Sequence, residues 1–186
     1  MIINKDEFLK ATKKTRKGLR NNVFVYPTDT MYCIGCDATD KELVGKVRNL
    51  KKSSVKPFSI IPPSKAWVEE NCEYTDEQEK FVDHLESPKE EFEDKTITLI
   101  LNMKEGSNVA NNVNSGNGEI GIRIFNHWFM EEVKQLGFPV LYTSANPVGG
   151  DLMTDLESLS KGIKNKVNLV IYEGEKKGNP SMIVNK

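Results

Sequence analysis

The chain has little of what most stapling and catalytic chemistries require. Of its 186 residues only three are cysteine and two histidine. That is too few for a disulfide framework, and Cys33-Ile34-Gly35-Cys36 has no second C-x-x-C or histidine pair to complete a zinc site. The same two thiols read as small semi-buried residues following a strand. Arginine is scarce too: Arg16, Arg20, Arg48 and Arg123 stand against 22 lysines. No apolar run approaches the roughly 18 residues of a membrane span, and the longest, Val23-Phe24-Val25-Tyr26 and residues 97–101, suit buried strands. The first seven residues lack the apolar segment of a secretory signal, so a reducing, cytoplasmic setting is expected, with no membrane partner. A G-x-x-x-x-G-K-[ST] loop, a strand–turn–helix G-x-G-x-x-G and a G-x-S-x-G elbow are all missing. P-loop, Rossmann and serine-hydrolase chemistry are thereby set aside. His84 lies in an acidic helical stretch and His127 starts a helix, and both read as solvated.

Charge is present but unevenly spread. The net charge is −1, yet residues 1–22 carry +5 and residues 69–94 carry −10. This reads as a basic amphipathic first helix and an acidic solvated segment on one body. The basic balance of a nucleic-acid binder is absent, so any basic groove must be local.

Hydrophobic patterning predicts helices over residues 5–20, with Phe8, Leu9, Thr12 and Leu19 facing inward, and over 39–50, with Leu43, Val44, Val47 and Leu50 on one face. Ser64 and Thr75 read as N-caps of two further helices, and 127–136 as one ended by Gly137. A last helix is expected over 154–165. Strands are expected at 23–26, 58–61, 96–101, 120–125, 140–142, 168–172 and 182–184. The Asn- and Gly-rich stretch 105–118 reads as a mobile loop. Alternating strands and helices without a linker give the α/β class and a single domain over 1–186.

The segment Val25-Tyr26-Pro27-Thr28-Asp29-Thr30-Met31-Tyr32-Cys33-Ile34-Gly35 carries the chemical signal. A strand runs into a hydroxyl-rich turn that can offer hydroxyls and backbone N–H groups to a polar ligand. An ordinary strand–loop–helix connection is the plain alternative. The segment resembles the P-T-[ED]-T-x-Y-[GA]-[LI]-G signature of the YrdC-like family, the L-threonylcarbamoyladenylate synthases. Further resemblances follow in order along the chain. Lys51-Lys52-Ser53-Ser54-Val55-Lys56-Pro57-Phe58 is similar to the family's K-x-R-P…[NK]-P-L, with Lys52 or Ser53 at the place of its arginine. Gly121-Ile122-Arg123, Thr143-Ser144-Ala145-Asn146 and Pro180-Ser181-Met182-Ile183-Val184 resemble its A-V-R, S-x-N and P-S-T-[IV]-[VI] segments.

The resemblance implies a twisted mixed sheet with a concave, ligand-holding face flanked by helices. It implies condensation of L-threonine, bicarbonate and ATP, with magnesium, into threonylcarbamoyl-AMP and pyrophosphate, for a partner complex that modifies tRNA. Carried over by position, Thr30, Arg123 and Ser181 fall on the threonine site. Lys51, Lys52, Lys56, Ser144 and Asn146 fall on the ATP site. In-line attack on a phosphate needs positioning and charge neutralisation more than a covalent nucleophile, so no catalytic side chain and no protein metal ligand is implied. A non-catalytic relative that binds nucleotide or RNA through the same face is the second reading.

Overall fold

The computed structural model describes residues 1–11, 13–53, 56–92, 95–114, 116, 118–177 and 182–184, with 13–15 and 182–184 as backbone only. The first half alternates β1 (Ile2–Asn4), α1 (Lys5–Lys10), α2 (Lys13–Gly18), β2 (Phe24–Pro27), β3 (Tyr32–Gly35), α3 (Lys41–Lys51) and β4 (Ser59–Ile61). Then come α4 (Lys65–Asn71), β5 (Cys72–Glu73), α5 (Asp76–Asp83), β6 (Ile97–Met103) and β7 (Glu119–Ile124). The last part holds α6 (Trp128–Leu136), β8 (Val140–Ser144), α7 (Lys161–Lys164), β9 (Leu169–Tyr172) and β10 (Met182–Val184).

One mixed sheet joins the strands in the order β1-β9-β2-β3-β8-β4-β7-β6-β10, with β5 on β6. Pairing is parallel at β1/β9, β9/β2, β4/β7 and β6/β10 and antiparallel elsewhere. The α/β class is as the alternating pattern predicts, and the mixed sheet is as the family resemblance implies. Two glycines allow strands and side chains to close up. A Cβ on Gly35 would stand 2.6 Å from the Tyr26 ring and 2.8 Å from the Leu141 carbonyl, and one on Gly121 2.4 Å from Ser59 Oγ. The first approach lets the buried Tyr26 hydroxyl donate to that carbonyl at 3.0 Å.

Caps set the helix starts. Asp40 accepts from Glu42 N and Leu43 N, Ser64 accepts from Trp67 N, and Thr75 with Gln78 forms a capping box. Gly137, at φ 71°, ends α6 in the left-handed conformation that glycine adopts without penalty.

Four expectations fail for identifiable reasons. The helix expected over 5–20 breaks at Ala11, whose ψ is 144°, so that Arg16 of α2 reaches back to the Leu9 carbonyl at 2.8 Å. Leu9 is therefore exposed while Phe8 and Leu19 are buried; Thr12 lies outside the described residues. The helix expected over 154–165 shrinks to α7. Ser158 Oγ accepts from Thr154 N and Asp155 N, and Asp155 Oδ1 from Ser158 N. These local bonds occupy groups a helix would need. The stretch expected to be a mobile loop is pinned over 109–113: Val109, Ala110 and Val113 are buried, and the Val113 carbonyl accepts from Phe58 N at 2.8 Å. Neither histidine is solvated. His84 Nδ1 accepts from Lys89 N with the ring edge-on to Phe92, and burial lowers its pKa; His127 is paired with Glu173.

Candidate functional site

The hairpin of β2 and β3 closes through Thr28, Asp29, Thr30 and Met31, with Pro27 opposite Tyr32. Thr28 organises this turn from inside. Its hydroxyl donates to the Met31 carbonyl at 2.8 Å and accepts from Thr30 N and Met31 N. Thr28 N also bonds the Met31 carbonyl. The turn amides of Thr28, Thr30 and Met31 are thus consumed internally, contrary to the expectation that they serve a ligand. What the turn can still present are the Thr30 hydroxyl, 3.4 Å from that of Thr28, and the Asp29 carboxylate. Asp29 Oδ2 accepts from the Thr96 hydroxyl, whereas Oδ1 is buried with no hydrogen-bond partner among the described residues.

Register places a polar row on one face of the sheet. Cys33 is opposite Ser144, Tyr142 opposite Ser59, Ser59 opposite Gly121, and Arg123 opposite Thr98. Because alternate strand residues share a face, Ser144 and Tyr142 lie together, as do Gly121 and Arg123. Arg123 is 2% exposed, a floor residue and not the projecting one its place near a strand end suggests. Its Nη1 donates to Thr98 Oγ1 at 2.5 Å and its Nη2 to Tyr142 Oη at 2.9 Å. The guanidinium lies 4.3 Å from the Tyr142 ring centroid. Its Nε is buried with no hydrogen-bond partner among the described residues.

A second cation sits across the same row. Lys51, at the end of α3 and 5% exposed, donates from Nζ to Ser144 O at 2.6 Å, Ser144 Oγ at 3.0 Å and Asn146 Oδ1 at 3.0 Å. All three acceptors are neutral, and burial lowers the ammonium pKa to about 8. Asn146 is held in turn by Ser144 Oγ and by donating to the Gly150 carbonyl. Lys51, Lys56, Ser144 and Asn146 line one pocket of about 220 Å³ with Ser53, Phe58 and the 147–149 turn. Lys52 is not among its walls. It is exposed, with φ 52° as the left-handed cap of α3, and turns the chain toward Ser53. Four of the five expected ATP residues therefore meet, while Ser181 of the threonine set lies outside the described residues.

The pocket wall depends on a residue that motif reading passes over. Arg48 donates to the carbonyls of Asn112 at 2.5 Å, Val113 at 2.9 Å, Lys56 at 3.1 Å and Ser53 at 3.5 Å, with Phe58 4.4 Å from its guanidinium. It ties the lysine loop to the 112–113 segment from a side chain on α3. Arg48→Lys is expected to lower stability by about 1–3 kcal/mol, since one ammonium cannot bond four carbonyls in two directions. ATP affinity should fall with it while threonine affinity holds. Urea unfolding and calorimetry check this; an unchanged midpoint would remove Arg48 from the role.

Near the other end of the row, Glu173 gathers His127 Nε2 at 2.7 Å, Trp128 Nε1 and Lys176 Nζ. Burial raises its pKa, but these hydrogen bonds outweigh that and hold it at about 2. The Tyr32 hydroxyl donates to Gly174 O at 2.6 Å and accepts from Glu173 N, anchoring this segment to the hairpin. Cys33, the β3 member of the row, is buried, its thiol pKa pushed up by burial to about 12, and Cys36 is buried as well. Among the described residues no group of three His, Cys, Asp or Glu side chains could hold a metal ion.

Residues 18–186 match the Sua5/YciO/YrdC family model, described as Telomere recombination. A Methanocaldococcus jannaschii protein with a provisional threonylcarbamoyl-AMP synthase name is 30% identical over 187 residues, 98% of this chain and 83% of its own length. The Bos taurus threonylcarbamoyl-AMP synthase is 32% identical over 126 residues, 67% of this chain but 42% of that protein. P. abyssi Sua5 complexed with L-threonine aligns with a TM-score of 0.80 at 20% identity, covering all of this chain and 54% of that one. For E. coli YciO the TM-score is 0.75 at 19% identity, with 100% and 89% covered. The chain thus spans about half the length of P. abyssi Sua5 and less of the bovine protein. At these identities the structural likenesses concern the fold.

Proposed function

The chain belongs to the Sua5/YciO/YrdC family, and on that premise we propose that it is a threonylcarbamoyl-AMP synthase. It joins L-threonine, the carbon of bicarbonate and the AMP moiety of ATP, releasing water and pyrophosphate. The product is the activated carbamate that a separate transferase complex attaches to tRNA. The observation that carries this reading is a pair of buried cations on one sheet face, Lys51 and Arg123, neither in ion-pair contact with a carboxylate among the described residues. Burying an uncompensated charge is costly, and a ligand with two anionic ends, a carboxylate and a phosphate, relieves both sites. The name of the Bos taurus relative and the threonine bound in P. abyssi Sua5 support the same assignment.

Arg123 and Thr30 then take the threonine end, with Ser181, and Lys51, Lys56, Ser144 and Asn146 the nucleotide end. Lys52 supplies diffuse charge at the rim. Magnesium arrives with ATP as the substrate complex. The acidic walls contributed by Glu73, Asp76 and Glu77 beside Ile100 and Asn102 of β6 disfavour an RNA backbone along that part of the sheet. The absence of a forked arginine, with Lys52 or Ser53 at its place, favours a second reading, a non-catalytic relative that binds nucleotide or RNA. Pyrophosphate release from ATP separates the two. It should require both threonine and bicarbonate. ATP binding without any release would establish the second reading.

A further inference from the structure

We propose that Asp29 receives the α-ammonium group of the amino-acid substrate, while the Arg123 guanidinium receives its carboxylate. The inference rests on the synthase reading and extends it to a group not carried over from the family pattern. Two of the buried side-chain atoms left without a hydrogen-bond partner among the described residues are Asp29 Oδ1 and Arg123 Nε. One is an acceptor on an acid, the other a donor on a base. Buried polar groups are nearly always satisfied, so each orphan calls for a partner that is missing.

Both groups are anchored to the same strand. Thr96, one residue before β6, donates to Asp29 Oδ2, and Thr98 accepts from Arg123 Nη1. Two residues of extended chain set these anchors about 6.6 Å apart on one face. The Asp29 carboxylate feels the Arg123 charge, yet the two make no ion-pair contact. An α-amino acid holds its ammonium nitrogen and carboxyl carbon only about 2.5 Å apart by standard bond lengths and angle, so one such molecule can reach both groups. A zwitterion supplies both missing partners at once; a simple carboxylic acid supplies one. The turn amides of Thr28, Thr30 and Met31 offer no rival, because they are spent within the turn. His127 and Lys176 also act on Asp29 electrostatically but are engaged by Glu173.

Asp29→Asn keeps the shape and an oxygen for the Thr96 hydroxyl while replacing the orphan acceptor by a donor. Calorimetry with L-threonine and with 3-hydroxybutyrate, the same skeleton without the ammonium, reads the effect. The native protein should prefer threonine roughly 10- to 100-fold, the worth of one charge-assisted hydrogen bond. Asn should abolish that preference by weakening threonine alone, with ATP affinity retained as the measure of an intact fold. Unaltered threonine binding, or an equal loss for both ligands, overturns the inference. Should Asp29→Asn fail to bind ATP, Thr96→Val tests the same point by releasing Asp29 from its anchor, and it too must reduce the threonine preference. If the native protein binds ATP but no threonine, the synthase reading itself fails, a distinct result from threonine binding that ignores Asp29.

Discussion

Arg123→Ala should weaken threonine binding about 10- to 150-fold, the loss of a charge-assisted pair worth about 1.5–3 kcal/mol. The figure applies here because nothing else in the row can take over. Thr98 and Tyr142 present hydroxyls, and Ser59 lies opposite a glycine. The native guanidinium is fixed on three sides, by Thr98 on Nη1, by Tyr142 on Nη2 and by the Tyr142 ring beneath it. Little ordering remains to be done when a carboxylate arrives. Arg123→Lys should recover only part of the affinity, since an ammonium can sit over the Tyr142 ring but cannot also fork. The alanine variant should lose stability as well, because it empties a buried site and takes a charged donor from each of the two hydroxyls. ATP titration controls for this, as the nucleotide pocket is built around Lys51 and Asn146, contacts that Arg123 does not make. Threonine affinity unchanged in Arg123→Ala, with ATP still bound, would take Arg123 out of the site.

What can be read from the sequence is what depends on near neighbours. The capping residues Ser64 and Thr75 act over three positions, so their helices begin where the sequence puts them. Ser144 and Asn146 are two residues apart on the exit of one strand, and their joint hold on Lys51 follows from a short motif plus one crossover. The rest requires the fold. Arg48 satisfies carbonyls 64 and 65 residues away, and no spacing rule reaches that far. His127 reads as a solvated helix start because its partner, Glu173, is 46 positions downstream. The helix expected over 154–165 fails on a local competition, Ser158 and Asp155 bonding their own backbone, which apolar periodicity does not register. Asp29 is visible inside the P-T-D-T turn, but only coordinates reveal that one of its oxygens is buried and unmatched. The signal for Thr96 and Thr98 is the polar alternation of Thr96-Ile97-Thr98, which a continuous apolar strand reading overlooks.

The largest effect is expected at Lys51. Replacing it with methionine, similar in length but uncharged, should cost ATP binding about 2–5 kcal/mol, the usual loss when one member of a buried charge pair is removed. That corresponds to roughly 30-fold up to several thousand-fold in affinity. The lysine is predisposed to this role because its Nζ is already held by Ser144 and Asn146 and meets no carboxylate that a phosphate would have to displace. Its lowered pKa adds a second, independent readout. In the free protein the ammonium titrates near pH 8. ATP affinity should therefore hold below that pH and decline above it, as the proton needed by the phosphate must first be regained. Stability runs the opposite way. An unfolded lysine keeps its proton to about pH 10.4, so between 8 and that value the unfolded chain binds more protons than the folded one, and the fold gains stability as pH rises. Lys51→Met should abolish both trends together. ATP affinity flat from pH 7 to about 9.5 in the native protein, or an identical decline in the methionine variant, would show that the phosphates are neutralised elsewhere. Of the lysines carried over from the family pattern, Lys56 would then be the one left on the pocket wall to do it.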